Sequence, residues 1–103
     1  MTKQLYVSSL QIIALLTYNL EKRPMSYSAL YQKYPRAGFK LLTIESLAKK
    51  GFLTVKQKGE CSYYDRYSIS TEGKIFLENT FRKSSYYDSI MKAFNNRMRG
   101  TNV

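Results

Sequence analysis

The chain reads as a mainly α-helical fold carrying one small antiparallel β-hairpin, and three observations lead there. Apolar residues recur at three or four positions through most of the sequence, which is the helical period. Between Leu53 and Ile69 the period drops to two, with Gly59 in the connecting loop, which is the pattern of paired strands. At 103 residues with 44% hydrophobic content, there is material for a single domain with one modest core. A catalytic cleft usually needs walls from a larger scaffold, so this size favours a binding module over an enzyme.

Taken in order, Leu5, Ile12, Ile13, Leu16 and Leu20 place the first helix over residues 3–20, ending before Pro24. Ser26 is suited to cap a second helix, with Tyr27, Leu30, Tyr31 and Tyr34 on its stripe and Pro35 as its breaker. A third helix is expected to begin within residues 36–39 and run to Lys50. On its wheel Ala37, Leu41, Ile44, Leu47 and Ala48 share one side, Phe39, Leu42, Ser46 and Lys49 the other, and Arg36, Lys40 and Thr43 a flank. Gly51 is placed to take the left-handed conformation that ends the helix, with Phe52 supplying the apolar contact after it.

Leu53, Val55 and Gln57 then alternate with Thr54, Lys56 and Lys58 as a half-buried strand. A loop over residues 59–65 leads to its partner over 66–69, where Tyr67 and Ile69 face inward. An isolated hairpin is marginal in water, so this one must lie against the helices. Ser70 or Thr71 caps a fourth helix reaching Phe81, and Glu72 complements its N-terminal dipole. Beyond Ser84, a last helix carries Tyr87, Ile90, Met91, Phe94 and Met98 at steps of three and four, and residues 100–103 are expected to fray.

Seventeen Lys and Arg against seven Asp and Glu give a net charge of +10, spread from Lys3 to Arg99, and such a field favours a polyanionic partner. A membrane surface is the competing polyanion, but the run from Leu10 to Leu16 falls far short of the roughly 20 residues needed to span a bilayer. The first eleven residues lack the basic head and apolar block of a secretory signal, so a cytoplasmic protein without membrane attachment is expected.

The chemistry the sequence permits is narrow. There is no histidine, hence no usual general base near neutral pH and no commonest metal ligand, and the one cysteine, Cys61, cannot form an internal disulfide. No catalytic residue, metal site or cofactor is expected. The remaining enzymatic alternative is a divalent-ion nuclease built on Glu60, Asp65 and Glu72. Loop and helix-cap roles account for those three carboxylates equally well. For Cys61, redox sensing stands against an incidental exposed thiol without a resolving partner.

Two signatures carry a family resemblance. Leu47-x-x-x-Gly51-Phe52-Leu53 ends the third helix, and Tyr67-x-Ile69-Ser70-x-x-Gly73-x-x-x-Leu77 joins the second strand to the next helix. Over roughly residues 5–81 the chain resembles the winged helix-turn-helix transcriptional regulators of the PadR and MarR type. The resemblance implies a fold in which residues 1–83 form a winged-helix DNA-binding domain and residues 84–99 a C-terminal dimerisation helix. It also implies a homodimeric, sequence-specific regulator of transcription, with repression expected, that inserts its third helix into the major groove of double-stranded DNA and rests the wing on the backbone. Carried over position by position, the implied DNA contacts are Arg36, Lys40, Thr43, Ser46, Lys49 and Lys50 in the helix and Lys56, Lys58 and Arg66 in the wing. The chain departs from the pattern in placing Phe39 and Leu42 on the outward face and in having a short C-terminal extension.

Each of these features also has a plainer explanation. The third helix's cationic edge is either a DNA-reading face or a solvated one; Phe39 and Leu42 either meet thymine methyl groups or pack against the second helix. The strand lysines bind phosphate or merely discourage edge pairing. Tyr63 and Tyr64 contact DNA or serve as ordinary strand residues. Ten tyrosines and five phenylalanines raise single-stranded nucleic acid, but their periods assign most of them to packing. The stripe of Tyr87, Ile90, Met91, Phe94 and Met98 faces a two-fold partner or docks on its own domain. Apolar residues exposed on the third helix favour a different class, a winged-helix protein-interaction module in a replication or mobile-element complex.

Overall fold

The structure, a computed structural model, describes residues 7–35 and 37–100. It is mainly helical, with a three-stranded antiparallel sheet. The first helix, α1 (Ser9–Leu20), begins at a capping box: Ser8 Oγ accepts from Gln11 N–H at 3.2 Å while Gln11 Oε1 accepts from Ser8 N–H at 2.9 Å. The expected start at residue 3 is therefore corrected, because two orphan N–H groups at Ser8 and Gln11 are already satisfied there. Leu5 lies outside the described residues. Ile12, Ile13, Ala14, Leu15, Thr17 and Tyr18 make α1 buried on nearly every side, so it is the axis of the core.

Strand β1 (Met25–Ser26) precedes α2 (Tyr27–Lys33), whose cap is Ser26, accepting from Ala29 N–H at 3.1 Å. The next helix, α3 (Leu41–Lys49), starts later than the expected residues 36–39. Gly38 has φ +81°, a left-handed conformation incompatible with helix, and Lys40 is extended. Phe39 consequently belongs to the loop, not to an outward helix face. It is 4% exposed, and its carbonyl accepts from the Tyr27 hydroxyl at 3.0 Å.

Gly51, at φ +85°, closes α3. Phe52 N–H reaches back to Leu47 O and Gly51 N–H to Ala48 O, both at 3.0 Å, which satisfies two terminal carbonyls. Strands β2 (Leu53–Gln57) and β3 (Arg66–Ile69) then pair antiparallel, with Leu53 opposite Ile69, Thr54 opposite Ser68 and Val55 opposite Tyr67. The register shifts between Val55 and Gln57, so Lys56 sits in a bulge. The sheet is larger than the expected hairpin, because Met25 and Ser26 pair with Tyr67 and Arg66 on the other edge of β3. A two-residue strand has no period of its own; only its partner defines it.

Ser70 caps α4 (Thr71–Ile75), which widens into a π-helical turn over Phe76–Phe81, where Arg82 N–H donates to Leu77 O at 3.2 Å. The last helix, α5 (Tyr87–Gly100), reaches one residue into the stretch expected to fray; residues 101–103 lie outside the description. Its Ile90 is 5% exposed, and Tyr87, Met91, Phe94 and Met98 pack against the core that α1 organises.

At Gly73 the start of α4 meets the turn after α3 with no space to spare. A Cβ there would stand 2.4 Å from the Phe52 carbonyl oxygen and 2.8 Å from Ile69 Cγ1. We expect Gly73→Ala to cost about 1–3 kcal/mol, because backbone rather than a flexible side chain must yield. Thermal unfolding followed by circular dichroism checks this, and an unchanged midpoint would contradict the contact.

Candidate nucleic-acid interface

The exposed side of α3 and the β2–β3 hairpin form the two walls of an open groove of about 650 Å³, lined by Leu42, Glu45, Ser46, Ala48, Lys49, Val55, Lys58, Ser62, Asp65 and Tyr67. Helical spacing puts Leu42, Glu45 and Lys49 on one stripe. Ile44 and Leu47 on the opposite side are fully buried and anchor the helix. Leu42 is 74% exposed on the outward face, whereas Phe39 is buried, in line with the packing alternative for that residue.

The sequence-expected contacts do not share one place. Lys40, at the N-terminus of α3, and Lys49 are exposed, with Thr43 half-buried beside them. Lys58 reaches the groove from the hairpin and pairs with Asp65 at 3.1 Å while its side chain stays 78% exposed. Ser46 lines the groove, and its hydroxyl donates to Thr43 O at 2.9 Å and accepts from Gln11 Nε2 at 2.5 Å, which ties α3 to α1. Lys50 is half-buried at the end of α3 and does not line the groove. Lys56 and Arg66 lie away from the groove, each lining a different hollow. Arg36 lies outside the described residues.

The loop between the strands is folded back rather than projecting. Its short 3-10 turn, Ser62–Tyr64, brings the Tyr63 ring edge-on to Tyr27 of α2 at 5.3 Å, and Tyr64 packs edge-on to Tyr63 at 5.2 Å. Tyr63 is thus partly engaged in packing, whereas half of Tyr64 remains exposed. Gly59 allows the fold-back, since a Cβ there would lie 2.6 Å from Tyr64 Cβ. Buried Asp65 fastens it: its carboxylate accepts from Gly59 N–H at 2.8 Å as well as from Lys58. Those bonds, the backbone one first, hold the Asp65 carboxyl below the usual carboxylate range.

Sequence reasoning missed Glu45 as a groove residue and the role of Asp65. The first sits one helical turn from Leu42 and Lys49 and was legible from the wheel; the second depends on loop geometry that no period encodes. Among the described residues, no three His, Cys, Asp or Glu side chains gather as a group able to hold a metal ion, so Glu60, Asp65 and Glu72 form no common site. Cys61 is an exposed free thiol. No helix of the described residues is long and apolar enough to cross a membrane. No family model, curated protein or solved structure matches this chain.

The Asp65 arrangement has a measurable pH signature. Its folded-state pKa is lowered, so the unfolded chain binds the extra proton first as pH falls. The stabilisation is fully present above the ordinary carboxylate range and disappears as pH drops through the lowered folded value. We expect Asp65→Asn to speed amide exchange at Gly59 near neutral pH and to differ little from the parent once Asp65 is protonated. A pH-independent difference would assign the effect to shape rather than charge.

Proposed function

We propose that the chain is a winged helix-turn-helix protein that binds double-stranded DNA sequence-specifically and represses transcription as a homodimer. The observation that carries the reading is the juxtaposition of a well-anchored helix with an exposed stripe and a hairpin that brings Lys58 to the same groove, in a chain of net charge +10. In this reading α3 is the recognition helix, Lys40 and Lys49 meet phosphates or base edges, and Lys58 adds a backbone contact from the hairpin. The order of three helices, hairpin and further helix supports it as well.

The proposed dimer rests on less surface than the sequence leads one to expect. Most of the α5 stripe is already packed against its own core. What remains for a two-fold partner is the edge where Leu20, 57% exposed, borders a hollow with Leu16 and Phe94.

A second reading has a specific observation behind it. Leu42 and Val55, both exposed, face one groove with Glu45 between the helix cations, and an apolar centre with a carboxylate suits a protein partner better than a phosphate backbone. That reading is a winged-helix interaction module, in a replication or mobile-element assembly.

Duplex binding measured across a salt series separates the two. Under the DNA reading, the joint change Lys40→Ala and Lys49→Ala weakens binding and lowers the salt slope by about 2, one for each phosphate contact removed, while Leu42→Ala leaves that slope unchanged. Binding indifferent to both lysines would send the function to the protein-interaction reading.

A further inference from the structure

The cations that α3 and its groove do not use gather elsewhere. Alternation along β3 puts Arg66 and Ser68 on the sheet face opposite Tyr67, and the register adds Thr54 and Gln57 to that outer face. Two hollows lie along it. One, of about 390 Å³, is lined by Arg23, Pro24, Met25, Ala29, Gln32, Lys33 and Arg66; the other, of about 380 Å³, by Lys22, Lys56, Lys74, Ser68 and their neighbours. The hollows adjoin, because Lys33 of the first bonds Glu21 of the second at 2.8 Å.

Of the seven acidic residues in the chain, only Glu21 lines either hollow. Its charge is already met. Burial pushes its pKa up, but hydrogen bonds from Lys33 and from the Tyr34 hydroxyl at 2.6 Å outweigh this and keep it ionised. Lys22, Arg23, Lys56, Arg66 and Lys74 make no ion pair with any described residue. Four cations without an acidic partner, together with Arg23, whose charge also acts on Glu21, thus border a recessed surface.

We propose that this outer sheet face is a second phosphate-binding surface, and that it takes the sugar–phosphate backbone of a second nucleic-acid duplex. The arrangement fits a backbone rather than base edges, because no helix or projecting strand stands there to enter a groove, whereas lysines and arginines around a shallow polar strip match a row of phosphates. It fits a duplex better than a lipid surface, since none of the large exposed apolar side chains lines either hollow; exposed Leu20 lies in the neighbouring hollow that shares Lys22. The two surfaces lie apart on the hairpin, Lys58 lining the α3 groove and Lys56 the outer hollow. A chain with both faces occupied would bridge two duplex segments.

The test is a sandwich capture in which the protein is loaded on a bead-bound duplex and a second, fluorescent duplex is added. Lys22→Glu, Arg23→Glu and Lys74→Glu together alter only exposed side chains, and circular dichroism verifies the fold. We expect the triple variant to stay on the bead-bound duplex through the α3 groove and to capture about tenfold less of the second duplex. Lys49→Glu with Lys58→Glu should give the complementary loss, binding duplex only through the outer face. Undiminished capture by the triple variant overturns the proposal and leaves the α3 reading standing. Absence of any duplex binding by the parent overturns both. Loss of binding to vesicles containing phosphatidylserine, with duplex capture unaffected, would replace the nucleic acid by a membrane surface.

Discussion

The structure depends on one corner of backbone. Where α3 ends, the Gly51 and Phe52 carbonyls both accept hydrogen bonds from Ser70, the first from its hydroxyl at 2.5 Å and the second from its N–H at 2.9 Å. The same hydroxyl caps α4 by accepting from Gly73 N–H at 3.1 Å. Gly73, lacking a side chain, lets the α4 backbone close on the Phe52 carbonyl. Leu53 and Ile69 pair immediately beside this corner, so both ends of the hairpin are fixed to the end of α3 by main-chain groups. Any reading that uses α3 and the hairpin together inherits its geometry from there.

With the base fixed, the far end of the hairpin is set by smaller contacts of a different kind. Asp65 draws the loop in through Gly59, and the Tyr63–Tyr27 contact lays it on α2. The bulge at Lys56 then separates two lysines that lie two positions apart in sequence: Lys58 reaches the α3 groove while Lys56 lines a hollow on the other side of the sheet. Charge that a simple alternation would concentrate on one face is thereby divided between two. Electrostatics alone does not decide what the α3 groove binds, since Leu42, Glu45 and Val55 stand among its cations.

Much of the fold was legible in the sequence because it is written in local signals. Ser26 and Ser70 cap their helices, Gly51 ends α3 in the left-handed conformation, and the period of two marks both long strands. The Ser8–Gln11 capping box is equally local, and it sets the start of α1 where the apolar period alone runs the helix back to residue 3. β1 was not legible, since its pairing is a long-range property of β3. Nor was the start of α3, where the left-handed Gly38 packs so closely that a Cβ would lie 2.9 Å from Arg97, whose guanidinium donates to the Ala37 carbonyl. The candidate site was legible in outline only. Residue type marked Lys49 and Lys58, but the hydrogen bond that ties Ser46 to Gln11 and the placement of Lys56 and Arg66 at other hollows follow from packing and register.

The most direct measurement is amide hydrogen exchange on the Ser70→Ala variant, paired with its duplex affinity. If the corner aligns the hairpin with α3, exchange accelerates across β2 and β3 while the interior of α3 keeps its protection, and duplex binding weakens in step. Binding that persists at full strength with the hairpin opened would show that the groove between them is not the interface.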